Sequence, residues 1–245
     1  MNARAHGGEP KAGQVAEEDV DVRVPGGQLS AVWFRPVAAQ AVVVVALPSA
    51  PLHGRPGDRL IALMLAGAGF ATLLVDLTSG LDDGARKRAE EDVPLLALRL
   101  AGAAHWLAAH GGAANLPVAY LGVDGAAAAA LVATALDPTR VFGVVTRGGH
   151  PERAGASLLL AQVPTLFLFS DAQRVDPLTF AAARSSTDAE NPRQLKVLDS
   201  RTGELGEGEA LQQVIAASTA WFTHWLDASA PARLALSGLT HRPLA

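Results

Sequence analysis

The sequence predicts an α/β fold: one domain with a mostly parallel central sheet, an antiparallel hairpin leading into it, helices on both faces, and no inserted cap domain. Three observations carry this expectation. Runs such as Ala41-Val-Val-Val-Val-Ala-Leu47 are continuously apolar, as strands covered on both faces require. These runs alternate with helical stretches along the chain, the order that builds a parallel sheet through crossover connections. Near the start, two runs instead alternate apolar and polar residues and are joined across Gly26-Gly27, as in a hairpin.

Taken in order, residues 1–17 read as an N-terminal tail, 18–228 as the folded domain and 229–245 as a C-terminal tail. Asp19–Pro25 and Leu29–Phe34 form the hairpin, and Ala41–Leu47 is a central strand. A Pro- and Gly-bearing loop over 48–57 precedes a helix from about Asp58 to Ala68, with Gly69 as its stop. Phe70–Asp76 is the next strand. Thr78–Arg88 is polar and reads as an exposed connection. Asp92 suits the cap of a long helix running to about His110. Val118–Leu121 is a strand that meets an alanine-rich helix at once. Strand Val141–Thr146, a helix from Glu152, strand Pro164–Phe169, a helix from about Asp176 and strand Gln194–Leu198 continue the alternation. A final helix spans about Gly208 to Leu226, and its Trp221, Phe222 and Trp225 suit anchoring in the core.

Composition narrows the function. A chain of 245 residues, 49% hydrophobic, can bury a sizeable core in one domain. Its net charge of -4 gives no basic footprint, so a nucleic-acid partner is not expected. The absence of cysteine excludes disulfides, thiolate metal sites and a cysteine nucleophile. The first eighteen residues lack the apolar core of a signal peptide, and no apolar run approaches the roughly 20 residues of a membrane span. The expectation is a cytoplasmic protein with no membrane partner and no metal or organic cofactor.

Candidate functional residues lie at the carboxyl ends of the predicted strands, where ligands of such sheets bind. Asp76, Asp124, Arg147, His150, Ser170 and Asp171 all fall there. The segment Gly122-Val-Asp124-Gly-Ala126, between a buried strand and a helix, has the layout of a nucleophile elbow with aspartate at its centre. A carboxylate there is favoured by the dipole of the following helix.

Three strings carry a family resemblance: Gly69-Phe-Ala-Thr-Leu-Leu-Val-Asp-Leu77, the elbow segment 118–131, and Thr146-Arg-Gly-Gly-His-Pro-Glu-Arg-Ala-Gly155. With the order of elements, they resemble the α/β-hydrolase fold, specifically its dienelactone-hydrolase-like branch. That resemblance implies a serine or cysteine at the elbow, where Asp124 stands, and a glycine where Ala126 stands. It implies an acid a few residues past Phe169; Gln173 lies nearest that place, with Asp171 and Asp176 as shifted candidates. It implies a histidine in the loop after Leu198, yet Asp199–Glu209 contains none. Where the family commonly has a His-Gly start to the first active-face loop, this chain has Leu47-Pro48, and proline has no N–H to offer an oxyanion.

Ordinary Ser–His–Asp hydrolysis is therefore not supported by the sequence. Haloalkane dehalogenases and epoxide hydrolases do use an elbow aspartate, but with a histidine that activates water. Here His53 and His150 are the candidate surrogate bases, each with a plain loop role as the alternative. Gly125, Leu47 and Ser49 are candidates for oxyanion or ligand binding. Arg147 either binds an anion or ties its loop to Asp171 or Asp124. His105, His110 and His224 fall in predicted helices without an expected catalytic role. Two function classes follow. One is a pseudoenzyme or otherwise non-hydrolytic member that binds a small organic ligand or a protein partner. The other is an active cofactor-free hydrolase, lyase, isomerase or cyclase using Asp124 as base or nucleophile. A homodimer is compatible with either.

Overall fold

Valine-rich runs settle into the middle of the sheet because β-branched side chains suit a pleated surface and leave no polar group to solvate. In the computed structural model, which describes residues 14–49, 52, 55–109, 113–138, 140–185, 192–200 and 202–239, eight strands form one sheet. These are β1 (Val15–Val24), β2 (Gly27–Pro36), β3 (Ala41–Leu47), β4 (Phe70–Asp76), β5 (Val118–Val123), β6 (Val141–Arg147), β7 (Thr165–Ser170) and β8 (Arg193–Leu198). The spatial order is β1-β2-β4-β3-β5-β6-β7-β8. The β1–β2 and β2–β4 pairings are antiparallel, and every pairing from β4 to β8 is parallel. The α/β-hydrolase architecture expected from the sequence is present.

Residues of β3 alternate between two apolar layers. Val42, Val44 and Ala46 pack with the helices α3 (Val93–Ala108) and α4 (Ala126–Thr134). Val43, Val45 and Leu47 face the other side, with α1 (Pro56–Gly67) and α7 (Gly208–Leu239). Trp221 and Phe222 of α7 are buried there, as expected. The hydroxyl of Tyr120 on β5 is buried in the first layer. Burial pushes its pKa up, nearby Asp137 adds to the rise, and Arg140 opposes it. Tyr120 is thus a neutral core residue.

Four elements differ from the sequence expectation, each for a local reason. The first strand begins at Val15, inside the expected tail, because Val15 to Glu18 pair with Pro36 to Trp33 of β2. The connection after β4 is neither fully exposed nor irregular. Thr78 and Ser79 are buried, and Asp76 accepts hydrogen bonds from the Thr78 N–H (2.8 Å) and hydroxyl (3.0 Å). Asp82 then caps the short helix α2 (Asp83–Ala89) by accepting from the Ala85 N–H at 2.8 Å. Arg99 of α3 reaches back to the Ser79 carbonyl at 2.7 Å and closes this corner. The expected helix from Glu152 is only a 3-10 turn at Pro151–Ala154 followed by the four-residue α5 (Ser157–Leu160), because Gly155 between them takes a non-helical backbone. The last helix continues to Leu239, past the expected end at Leu226; the added stretch is rich in alanine and leucine, which favour helix. The helix α6 (Pro177–Ser185) starts where the sequence suggested, with Asp176 accepting from the Leu178 N–H at 2.8 Å.

Candidate functional site

The turn between β5 and α4 is forced by close approach. A side chain on Gly122 would meet the Ala126 carbonyl oxygen at 2.7 Å and the Ala130 Cβ at 2.9 Å, so only glycine lets the helix return over its own strand. Asp124 then adopts φ +49°, the only positive φ of a non-glycine among the described residues. Aspartate tolerates this left-handed region better than most residues. Its N–H donates to the Arg147 carbonyl (2.9 Å) and its carbonyl accepts from Ala127 (3.0 Å), so the elbow is tied both to β6 and to its own helix. Behind it, Gly148 and Gly149 take φ +62° and +72°. A Cβ on Gly149 would overlap the Asp124 carbonyl oxygen, so this pair of glycines lets the loop after β6 lie directly against the elbow.

Asp124 opens onto a cavity of about 310 Å³ at the carboxyl ends of the strands. Its walls come from the start of α1 (Arg55 to Asp58), from Arg147 and Gly148 after β6, from Gln173 after β7, and from Glu204 to Glu207 after β8. Four charged groups form a chain across its floor. Arg147, 5% exposed, pairs with Asp58, 3% exposed, at 2.6 Å. Arg55 spans Asp58 (3.4 Å) and the Asp124 Oδ2 (3.1 Å). The second guanidinium nitrogen of Arg147 lies 3.9 Å from that same oxygen. The Asp124 side chain remains 44% exposed to the cavity.

The structure brings together Asp124, Arg147 and Gln173, the last of which holds its loop by accepting the Ser170 N–H at 2.9 Å. Asp171 instead accepts from the Ser200 N–H (3.2 Å) and Asp176 caps α6, and neither lines the cavity. Arg147 therefore does not tie to Asp171; its main partner is Asp58. His150 is 70% exposed and its Nδ1 lies 2.9 Å from Glu152 Oε1, outside the cavity wall. His53 lies outside the described residues. Leu47 is buried in β3 with its carbonyl accepting from Leu77 (3.0 Å), and Ser49 is half-buried. Pro48 packs against Gly125, where a Cβ would sit 3.1 Å from the proline Cβ. Among the described residues, the cavity lining contains no serine and no histidine.

Arg55, Asp58, Glu204 and Glu207 were not anticipated as site residues. Pro56 at the first helical position was a usable signal, since it places the start of α1 earlier and puts Asp58 in its first turn beside the elbow. Nothing in the linear sequence marks Arg55 as the partner of Asp124, 69 residues away.

This fold matches that of known proteins. A dienelactone hydrolase from Anabaena variabilis is 31% identical, with the match covering 86% of this chain and 99% of that one at a TM-score of 0.75. A dienelactone hydrolase-like promiscuous phosphotriesterase from metagenomic libraries shares the fold at a TM-score of 0.68 and 17% identity, covering 86% and 98% of the two chains. The chain belongs to the dienelactone-hydrolase-like branch of the α/β-hydrolases. Two Mycobacterium tuberculosis proteins, from strains CDC 1551 / Oshkosh and H37Rv, provisionally named phosphoribosyl transferases, are 36% identical over 197 residues. That match takes in 80% of this chain but 44% of theirs, so the chain spans less than half the length of these curated relatives. No family model matches the chain.

Proposed function

We propose that this protein is a non-hydrolytic member of its family, a pseudoenzyme with a degenerate triad whose elbow cavity binds a small organic ligand. The observation that supports this reading most is the partner of Asp124. A triad nucleophile needs a base within hydrogen-bond reach, and here a guanidinium, which cannot accept a proton, stands 3.1 Å from the elbow carboxylate. Hydrolysis through an elbow carboxylate requires a water activated by a base to release the covalent ester. Gln173 at the place expected for the acid is neutral, and Glu204 and Glu207 occupy the loop where the family carries its histidine. Triad members act as a unit, so this set retains little of their joint effect.

The test is turnover of short nitrophenyl esters and of a dienelactone by the full chain. We expect rates equal to the buffer blank. Sustained hydrolysis that disappears in Asp124→Asn would overturn the reading.

One observation favours a second reading, a cofactor-free enzyme using Asp124 itself. The elbow backbone is kept at φ +49° for a non-glycine residue, a conformation that costs energy and concentrates at functional sites. In that reading a carboxylate oxygen attacks an electrophilic carbon, forms a C–O bond and expels halide or opens an epoxide to an alkoxide that takes a proton from water. Intact mass spectrometry after incubation with haloalkyl or epoxide substrates decides it. An adduct on Asp124 supports this second reading, and an unchanged mass supports the first. The name of the mycobacterial relatives does not extend to this chain, because more than half of their length lies outside the match.

A further inference from the structure

We propose that the elbow cavity selects an organic cation, with a primary ammonium or guanidinium group as the part that docks on Asp124; this rests on the ligand-binding reading above and names its ligand class. Among the described residues, the cavity wall carries two arginines and four carboxylates, which leaves it two charges negative. Both arginines are already committed: Arg147 is buried against Asp58, and Arg55 bridges Asp58 and Asp124. Among the described residues, Glu204 and Glu207 have no ion-pair partner. An anionic ligand would meet this excess negative charge, and among the described residues no free guanidinium lines the cavity to receive it. An apolar ligand would strip water from carboxylates and give nothing back.

A cation fits on both counts, and the protein already places one there. The Arg55 guanidinium sits on Asp124 Oδ2 from within the same chain, which shows that the elbow accepts a charged N–H donor at 3.1 Å. Arg55 is 36% exposed and has a second carboxylate, Asp58, 3.4 Å away. A ligand ammonium can therefore take its place on Asp124 while Arg55 keeps its charge compensated on Asp58. The Asp124 side chain is 44% exposed, so its carboxylate can be reached from the cavity. Asp124 Oδ1 lies beside Gly148 and the Gln173 amide, where a Cβ on Gly148 would meet Gln173 Nε2 at 2.9 Å and Oδ1 at 3.4 Å, so the ligand ammonium docks on Oδ2, the oxygen that Arg55 holds. Arg55 thus acts as an internal competitor, and the true ligand is a cation that displaces it.

The experiment is a titration of the ¹⁵N-labelled full chain with n-butylammonium chloride, sodium butyrate or 1-butanol at matched ionic strength, following the Gly125 and Gly148 amides. The expected result is saturable shifts with butylammonium alone. Asp124→Asn should abolish them; asparagine also tolerates a left-handed backbone, so the elbow is kept. Arg55→Gln should tighten binding about two- to fivefold, the range of a part-exposed ion pair removed from competition. Equal shifts with butyrate or butanol would overturn the cation assignment while leaving a ligand site in place. No shift with butylammonium in either the wild type or Arg55→Gln would overturn it as well. An unchanged affinity in Arg55→Gln would overturn the displacement. Ester turnover, measured separately, is what would remove the non-hydrolytic reading beneath it.

Discussion

Asp58 sits almost wholly out of water, yet it takes charge from two arginines at once. Moving a carboxylate into such a place is costly unless it is paired, and the 2.6 Å contact with Arg147 supplies the pairing. Arg147→Ala should therefore destabilise the fold by about 3–5 kcal/mol, because it leaves a buried charge without its main partner. Urea unfolding monitored by tryptophan fluorescence measures this; a loss below 1 kcal/mol would mean that water already compensates Asp58. Gly149→Ala should be damaging for a different reason, since its Cβ would overlap the backbone of Asp124 and its φ is left-handed. The same unfolding assay should show a loss of more than 1 kcal/mol, in line with strain at a positive φ.

Tyr120 gives a residue-scale prediction with a sign. Its folded pKa lies above the unfolded value of about 10 because burial disfavours the phenolate. Its contribution is fully present below about pH 10 and is lost as pH rises above that, where the unfolded chain alone releases the proton. Since the chain has a single tyrosine, absorbance at 295 nm reports it cleanly. Phenolate should appear only together with unfolding. Ionisation in a chain that is still folded, at the ordinary tyrosine pKa, would contradict the burial.

Among the elements, the pair β5 and α4 fixes the site. The alanine run of α4 is buried along nearly its whole length, so it packs closely on the sheet and has no amphipathic face to slide on. Gly122 is the contact point. Gly122→Val should push the helix off its strand and cost about 1–3 kcal/mol, the usual range for overpacking. Thermal denaturation checks the loss, and an unchanged midpoint would show that α4 moves freely. Elements of this kind were legible in the sequence, because a continuous apolar run, a glycine turn and an alanine helix each follow local rules. The helix α2 was not. Its composition is mostly charged, with Ala89 alone buried, and its order depends on Asp82 capping it and on Arg99 reaching the Ser79 carbonyl from another helix. Periodicity carries no trace of that second bond.

Over the whole molecule, the position of the site was readable and its membership was not. Strand ends gather at one edge of a parallel sheet, so Asp124, Arg147 and Gln173 could be placed there from their positions after β5, β6 and β7. Arg55 and Asp58 join them because the start of α1 meets the carboxyl ends of β5 and β6, a long-range meeting that spacing along the chain does not encode. Glu204 and Glu207 enter by the same route, from the loop after β8. The family membership shared with the dienelactone hydrolase of Anabaena variabilis therefore describes the scaffold, while the charged floor of the cavity sets what this chain can do with it.

On the proposed reading, Asp124 binds a ligand and does not turn over esters. The most direct measurement is a single-turnover experiment with the full chain in molar excess over p-nitrophenyl acetate, which registers even one acyl transfer per site. Nitrophenolate release is expected at the rate of the buffer blank. A stoichiometric burst of nitrophenolate, present in the wild type and absent in Asp124→Asn, would contradict it.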